Sequence, residues 1–197
     1  ADGEFTPGAD EDGGGRWQFA RHLTQAQQAL IANGWPLEWG NIRFQAQCTP
    51  FRHLGFFPDM APVWEWMQGL MRPGDEALNL FGYTGLGSLA LAECGAKVTH
   101  VDASKKSVEA AKRNAAMANM AELPIRWLVD DAIKFTAREV RRGRHYQGIL
   151  LDPPKYGRGP NGELWRLEQD LAPLLLDCRK LLNQDSRFLF LTVYAIR

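Results

Sequence analysis

The segment LNLFGYTGLGSLA, residues 78–90, runs from an apolar stretch through a glycine-rich turn into a helical pattern. In a parallel sheet such a turn lies at the carboxyl end of its strand, where ligands bind. Gly82, Gly85 and Gly87 allow the backbone to approach a ligand, and the start of the helix offers it unpaired N–H groups. A tight strand-to-helix connection uses the same glycines without a ligand, so the turn alone leaves both interpretations open.

This turn suits two ligands, a nicotinamide dinucleotide and S-adenosylmethionine. Residues 85–90 match the dinucleotide pattern G-x-G-x-x-G/A, and Asp102 lies 17 residues beyond the first glycine, near the place where an acid would hold a ribose. That match begins four residues after Phe81, the last apolar residue of the strand, although the first glycine should form the turn itself. Residues 79–85, NLFGYTG, fit better as a loop for S-adenosylmethionine, with Asn79 near its amino-acid end.

Acidic residues close the next two apolar runs. Asp102 ends KVTHVD, where its carboxylate could accept hydrogen bonds from both ribose hydroxyls of a bound cofactor. Asp130 and Asp131 end the following run, where one carboxylate could meet an adenine amino group. We favour Asp131, next to Ala132, for that contact. Helix capping is the alternative role for each of these acids, since a helical pattern follows each run.

The segment LLDPPKYGRGPNG, residues 150–162, favours methyl transfer over hydride transfer. Pro153 and Pro154 fix the backbone, remove two N–H donors and leave Asp152 and the backbone carbonyls facing the crevice at the strand ends. This acceptor site could orient a nitrogen of a flat substrate for in-line attack on a methyl group, a reaction that depends mainly on alignment. Lys155 and Tyr156 could contact or stack on a base, although a solvated lysine and a packed tyrosine fit the sequence nearly as well.

The elements that must position these residues follow from the hydrophobic pattern after residue 74. Five short apolar runs alternate with four amphipathic segments, which predicts an α/β fold, a Rossmann-like doubly wound parallel sheet. The predicted strands are 77–81, 97–101, 124–129, 148–151 and 188–194, and the predicted helices are 85–94, 104–120, 132–142 and 171–182. We expect Ser104 to cap the second helix, and Asp170 to cap the last one with Pro173 in its first turn.

Two regions make up the predicted domain organisation. Residues 1–58 form a small β-rich N-terminal extension, with an acidic, glycine-rich loop, hairpin tip or frayed end over 1–15 and a hairpin around Gly40 and Asn41. Residues 59–197 form the main domain, beginning with a helix that ends before Pro73. Because the sequence stops just after an apolar strand, we expect further C-terminal strands or a partner to cover that edge.

Composition sets the outer limits on function. The 197 residues contain no transmembrane stretch, and the first ones lack the basic start of a secretory signal, which favours the cytoplasm. Cys48, Cys94 and Cys178 form no C-x-x-C pair, so no metal site or disulfide framework is predicted. Residues 16–197 carry 23 basic and 18 acidic residues, a mild excess that permits a polyanionic partner. The sequence indicates no oligomeric state.

The motifs NLFGYTG, VDASKKSVEAAKRN, DPPKYGRG and HLGFFPD together resemble those of class I S-adenosylmethionine-dependent methyltransferases, specifically those related to bacterial large-subunit ribosomal RNA methyltransferases. The resemblance covers about residues 50–197 and implies a role for each matching position. The methionine end would contact Asn79, Phe81, Gly82, Tyr83, Thr84, Gly85 and Ser88; the ribose, Asp102, Ala103 and Ser104; and the adenine, Asp131 and Ala132. Phe57 and Pro58 would form a lid, and Asp152, Pro153, Pro154 and Lys155 would face the methyl group.

The sequence departs from members of this family that methylate cytosine C5. Those enzymes carry a nucleophilic cysteine shortly after the fifth strand, because carbon needs activation by a covalent adduct. Residues 191–197, LTVYAIR, contain no cysteine, which favours a nitrogen acceptor. The RNA-binding N-terminal module of some relatives is also absent from this sequence.

A basic cluster around the end of the third predicted helix is the main local indication of RNA binding. It consists of Lys134, Arg138, Arg141, Arg142, Arg144 and His145. Such cations could hold phosphates, and they also suit the negative end of a helix dipole. We therefore predict methylation of RNA, with ribosomal RNA as the expected substrate. A small-molecule or protein methyltransferase, an NAD(P)-dependent oxidoreductase and a non-catalytic binding module remain the alternatives.

Overall fold

The computed structural model describes residues 3–8, 14–19, 22–50 and 53–193. The chain divides into two compact units, Ala1–Ala61 and Pro62–Arg197. The first contains two antiparallel hairpins and a helix, and the second is built on a parallel sheet. None of the helices in the described part of the chain is long and apolar enough to span a membrane.

The first unit begins with a hairpin, one of the three alternatives that the sequence left open for this segment. Its elements are β1 (Gly3–Pro7), β2 (Gly15–Phe19), α1 (Gln25–Asn33), β3 (Trp35–Trp39) and β4 (Ile42–Ala46). The alternatives of a loop or a frayed end over 1–15 are wrong for β1, which pairs antiparallel with β2. An aromatic contact stabilises this pairing, because Phe5 packs edge-on against Trp17 with ring centroids 5.5 Å apart. The expected tip, residues 9–13, lies outside the described residues.

The second hairpin confirms the prediction around Gly40 and Asn41. Trp39 pairs with Ile42 across this two-residue turn, in which Gly40 has a φ of 55°. Helix α1 was not predicted, because it buries none of its residues and so shows no apolar periodicity. A capping box fixes its start instead: Gln27 N donates to Thr24 Oγ1 at 3.2 Å, and Thr24 N donates to the Gln27 side chain at 2.9 Å.

The sheet of the second unit confirms the predicted fold class. Its strands are β5 (Glu76–Leu80), β6 (Lys97–Asp102), β7 (Ile125–Val129), β8 (Gly148–Leu151) and β11 (Phe188–Leu191), in the order β11-β8-β5-β6-β7. Every neighbouring pair is parallel, as the long crossovers required. The central strands β5 and β8 are almost wholly buried, because helices cover a parallel sheet. In the described part of the chain β11 pairs only with β8.

The helices of this unit are α2 (Ala61–Leu70), α3 (Leu86–Glu93), α4 (Lys105–Met117), α5 (Ala132–Arg141) and α6 (Leu167–Lys180). A short 3-10 turn, Pro58–Met60, precedes α2. Ser104 caps α4 as predicted, since its side chain accepts from Ser107 N. The predicted cap at Asp170 is wrong, because α6 starts at Leu167 and Pro173 lies inside it. Asp170 instead accepts from the N–H of Arg166, the residue just before the helix, at 2.6 Å.

The segment that follows β8 contains a short hairpin that the sequence pattern did not predict. Strands β9 (Tyr156–Arg158) and β10 (Leu164–Arg166) pair antiparallel, and α6 follows directly. At three residues each, these strands are too short to show an alternating pattern. Trp165 joins them to the main core, where it lies with Leu78, Leu80 and Phe135.

Candidate functional site

The carboxyl ends of the central strands lie side by side at one edge of the sheet. Leu80 of β5 pairs with Leu151 of β8 on one side and with Val101 of β6 on the other. The residues that follow, including Asp102 and Asp152, therefore lie at the same level. The strand order reverses at β5, and such a switch point forms the crevice in which open α/β sheets bind ligands. The topology thus brings the predicted turn and two predicted acids to one place.

The glycine turn between β5 and α3 has a backbone shape that few side chains tolerate. Phe81, Tyr83 and Gly85 have φ values of 58°, 47° and 87°. A Cβ atom on Gly82 would lie 2.4 Å from the His100 ring, and one on Gly85 would lie 2.7 Å from the Ala111 side chain. These glycines are therefore required by close packing within the protein.

Below the turn lies a buried polar chain of three side chains. Asn79 Nδ2 donates to Ser88 Oγ at 2.9 Å, and Ser88 Oγ is hydrogen-bonded to His100 Nδ1 at 2.9 Å. Ser88 and His100 are wholly buried, and Asn79 is 3% exposed. The Ser88 hydroxyl is thus hydrogen-bonded within the protein, and the expected place of Ser88 beside the methionine end stays a prediction. The sequence motif marks Asn79 and Ser88, but the structure uses their polar atoms to support the turn from beneath.

His100 completes this chain and has no ligand role in the sequence prediction. Its Nε2 has no hydrogen-bond partner among the described residues, and its ring lies 4.8 Å from the Trp127 ring. Burial lowers its pKa from 6.5 to about 3, so the imidazole is neutral. Its position beneath Gly82 explains why the turn needs a glycine there.

Asp102 lies at the end of β6, beside the turn. Its Oδ2 accepts from Tyr83 N at 2.9 Å, and its Oδ1 accepts from Ser104 N at 2.8 Å. These donors fix the carboxylate, and each carboxylate oxygen can accept more than one hydrogen bond. Burial raises the pKa of Asp102, while its two backbone donors act in the opposite direction. Ala103 is half-buried and Ser104 exposed between Asp102 and α4.

The two acids after β7 make contacts that fit the capping interpretation. Asp131 is the N-cap of α5, and its Oδ1 accepts from Lys134 N at 2.9 Å. Asp130 accepts from the N–H of Asp131 at 2.9 Å and forms an ion pair with Arg138. Capping uses only one carboxylate oxygen of Asp131. The expected adenine contacts of Asp131 and of the buried Ala132 stay predictions.

The residues after β8 form the other side of the crevice. Asp152 Oδ1 accepts a hydrogen bond from the hydroxyl of Thr192, the residue that follows β11. The carbonyl of Pro154 accepts from Trp165 Nε1 at 2.7 Å, so this predicted acceptor is already engaged by the protein. Pro153 is buried, whereas Pro154 and Lys155 are exposed. Of the four predicted residues, Asp152 is therefore the best placed to bind a substrate nitrogen.

Three functional residues escaped the sequence prediction: His100, Trp165 and Thr192. Phe81 packs against Trp165 with ring centroids 4.8 Å apart, which ties the glycine turn to the segment after β8. Thr192 pairs with Asp152 from a position 40 residues away. No local pattern marks either contact. His100 alone had a sequence signal, as a histidine two residues before Asp102 in strand β6.

The structure leaves the role of the predicted lid untested. Phe57 and Pro58 precede α2 in the first unit, and their role as a lid stays a prediction.

Four of the six residues in the basic cluster at the end of α5 form ion pairs with acids. The ion pairs are Lys134–Glu163, Arg138–Asp130, Arg142–Glu139 and Arg144–Glu76. Each of these four cations already faces a carboxylate, which weakens the case for phosphate binding; that role of the cluster stays a prediction.

No group of three or more His, Cys, Asp or Glu side chains in the described ranges is arranged to hold a metal ion. Cys48, Cys94 and Cys178 are free thiols.

The chain is similar along its whole length to a solved structure described as a SAM-dependent methyltransferase from Agrobacterium tumefaciens, where SAM is S-adenosylmethionine. The two are 44% identical with a TM-score of 0.88, and the match covers 100% of this chain and 61% of that chain. A methyltransferase solved in complex with S-adenosylhomocysteine (SAH) is 24% identical, with a TM-score of 0.68 over 77% of this chain and 40% of the other. This second likeness shows the fold alone.

Curated relatives named ribosomal RNA large subunit methyltransferase K/L come from Alteromonas mediterranea and Shewanella frigidimarina. Each is 29% identical, over 75% and 78% of this chain and 21% of the relative's own length. The chain therefore spans about a fifth of these curated relatives. No protein-family model matches the sequence. These similarities confirm the predicted resemblance to class I methyltransferases and the Rossmann-like fold.

Proposed function

We propose that this chain transfers a methyl group from SAM to a base nitrogen of RNA, with ribosomal RNA as the substrate. The observation that carries the proposal is the meeting of the glycine turn, Asp102 and Asp152 at three adjacent strand ends. A cofactor held on the turn would lie between the two carboxylates. One acid would then fix the cofactor, and the other would face the acceptor.

The residues around the turn have the chemistry that SAM needs. Gly85 is the N-cap of α3 and has no side chain that could accept hydrogen bonds from the start of the helix. The first backbone N–H groups of α3 therefore suit the cofactor's carboxylate. The backbone of Tyr83 and Thr84 lies in the same turn. Asp102, which its two backbone donors hold in place, suits the paired ribose hydroxyls. Asp131 and Ala132 are the proposed adenine contacts.

The proposed mechanism depends on alignment. SAM supplies an electrophilic methyl group on a sulfonium; its C–S bond breaks with the electron pair left on sulfur as a C–N bond forms. The Asp152 carboxylate would accept a hydrogen bond from the acceptor nitrogen, which directs the nitrogen lone pair at the methyl carbon and favours loss of the proton. Thr192 restrains Asp152 from the neighbouring strand, and the two prolines stiffen the backbone after it.

The choice of RNA rests on the printed names of the curated relatives, and the choice of nitrogen rests on the sequence. Residues 191–197 lack the cysteine that C5 methylation would need. With ribosomal RNA as the substrate, the proposed location of the reaction is the cytoplasm. A small molecule or a protein remains the second candidate acceptor, because the same acceptor site would orient any flat amine.

Transfer of tritiated methyl groups from SAM tests the proposal. The chain is incubated with an unmodified cell extract, which is then separated into RNA, protein and small molecules. Asp152→Asn keeps an oxygen for Thr192 but removes the charge, and should lower the label in RNA by about 100-fold through misalignment. Asp185→Asn, in an exposed turn away from the strand ends, is the matched control and should leave the label unchanged. Label only in protein or metabolites would overturn the RNA assignment.

A further inference from the structure

The hairpin formed by β9 and β10 has two different faces. In its register, Tyr156 lies opposite Arg166, Gly157 opposite Trp165, and Arg158 opposite Leu164. Directly opposed residues of an antiparallel pair share a face. Tyr156, Arg158, Leu164 and Arg166 therefore project from one side, and all four are exposed, with Tyr156 at 59% and Leu164 at 56%.

The other face attaches the hairpin firmly to the sheet. Trp165 is 5% exposed, packs on Phe81 and donates to the Pro154 carbonyl. Leu167 N donates to the Lys155 carbonyl at 3.0 Å, and Gly159 N donates to the Glu163 carbonyl at 2.8 Å. The outward face is thus held at a fixed position by packing beneath it. It starts four residues after Asp152, a reach of about 14 Å at most.

The cations on this face differ from those at the end of α5. Neither Arg158 nor Arg166 forms an ion pair within the described ranges, and the Lys155 ammonium lies 5.7 Å from the centre of the Tyr156 ring. Two neighbouring acids are already engaged, since Glu163 pairs with Lys134 and Asp170 accepts from the backbone of Arg166, and Glu168 is exposed in the first turn of α6. The face therefore presents three cations around one exposed aromatic ring.

We propose that this outward face of the β9–β10 hairpin binds the single-stranded RNA that carries the target base next to Asp152. This inference rests on the proposed function. Tyr156 would stack on a base, while Arg158 and Arg166 would contact phosphates on either side of it. Aromatic rings among cations are the usual means of binding single strands without sequence preference. An acidic protein segment would use the cations but gain little from the ring.

Fluorescence anisotropy with a labelled, unstructured RNA 12-mer tests this surface. The double variant Arg158→Gln, Arg166→Gln should raise Kd about ten-fold or more. It should also reduce the slope of log Kd against log salt concentration by about 1.4, at about 0.7 for each lost phosphate contact. The matched control removes two exposed arginines elsewhere, Arg141→Gln with Arg179→Gln. It should change Kd less than two-fold.

A second pair of variants separates stacking from structure. Tyr156→Ala should weaken RNA binding about ten-fold, whereas Tyr156→Phe, which keeps the ring, should bind like the unaltered chain. Because Tyr156 is exposed, calorimetric SAM affinity should stay unchanged in both variants and report intact folding. Equal effects of the hairpin and control doubles would overturn this surface while leaving methyl transfer to RNA standing. No RNA binding by the unaltered chain, with SAM still bound, would overturn both proposals.

Discussion

The turn after β5 and the segment after β8 connect neighbouring strands of one sheet to their helices, yet they are built in opposite ways. In the turn, His100 and Ala111 leave no room for side chains at Gly82 and Gly85, and a buried chain of hydrogen-bonded polar side chains lies beneath. The segment after β8 carries a hairpin whose outer face is exposed and cationic. The difference teaches that a small cofactor can be held by tightly fixed backbone, whereas a large polyanion needs accessible side chains.

Two glycines with nearly equal positive φ values give the sharpest test of that contrast. Gly85 in the turn and Gly162 beside the hairpin have φ values of 87° and 88°. A Cβ atom on Gly85 would meet Ala111 at 2.7 Å, whereas nothing lies within 4 Å of one on Gly162. Gly162→Ala should cost only the left-handed strain, about 1–2 kcal/mol, and Gly85→Ala a further 1–3 kcal/mol from overpacking. Urea unfolding measures both, and equal losses would show that the turn is not tightly packed.

The same contrast explains which parts of the molecule the sequence could predict. The five sheet strands and the turn follow local rules, namely apolar runs, glycine and strand-end acids, and their residues appear where expected. The β9–β10 hairpin was missed, and β1 was not distinguished from a loop, because their pairing depends on aromatic contacts that no local pattern shows. For β1 the contact is Phe5 on Trp17, and for β10 it is Trp165 on Phe81.

Within the site, charge state and pairing were harder to predict than residue identity. The cluster at the end of α5 looks basic in sequence, but its partner Glu76 is over 60 residues away from Arg144. Thr192 and Asp152 likewise meet only through the β11–β8 pairing. Ser88 was chosen because it lies in the motif, and the sequence does not show that its hydroxyl is buried and hydrogen-bonded to Asn79 and His100. Sequence reasoning therefore identified the strand ends better than it identified what each side chain touches there.

Replacement of Asp102 tests whether the buried side of the site holds the cofactor. Asp102→Asn should weaken calorimetric SAM binding by about 1–3 kcal/mol, because it removes a charged acceptor and leaves an amide facing backbone N–H donors. Burial raises the pKa of the native carboxyl above 3.8, so the affinity it provides is present above that raised pKa and is lost as pH falls through it. The SAM affinity of Asp102→Asn should therefore not show this loss at low pH, whereas the affinity of Asp185→Asn should still show it. Unchanged affinity in Asp102→Asn would contradict the ribose assignment.

The pH dependence of folding tests the buried polar chain beneath the turn. Burial holds the pKa of His100 at about 3, below its unfolded value of 6.5. Below pH 6.5 the unfolded chain takes up a proton that the folded chain excludes, so stability falls as pH decreases towards 3. At pH 5.5 the loss is about 1.4 kcal/mol relative to pH 7.5. His100→Gln should remove this part of the urea-unfolding pH profile, whereas substitution of the exposed His22 by Gln should not.

The smallest expected effect separates exposure from pairing as the cause of RNA binding. Lys134 and Arg142 at α5 are as exposed as the hairpin arginines, but each faces a carboxylate. Lys134→Gln with Arg142→Gln should therefore change RNA affinity by less than about two-fold at 0.15 M salt, because an ion-paired cation contributes little net attraction. A ten-fold loss, equal to that of the hairpin double variant, would mean that these ion pairs open to receive phosphate. Exposure would then be sufficient for RNA binding, and the contrast between the two cationic surfaces would lose its basis.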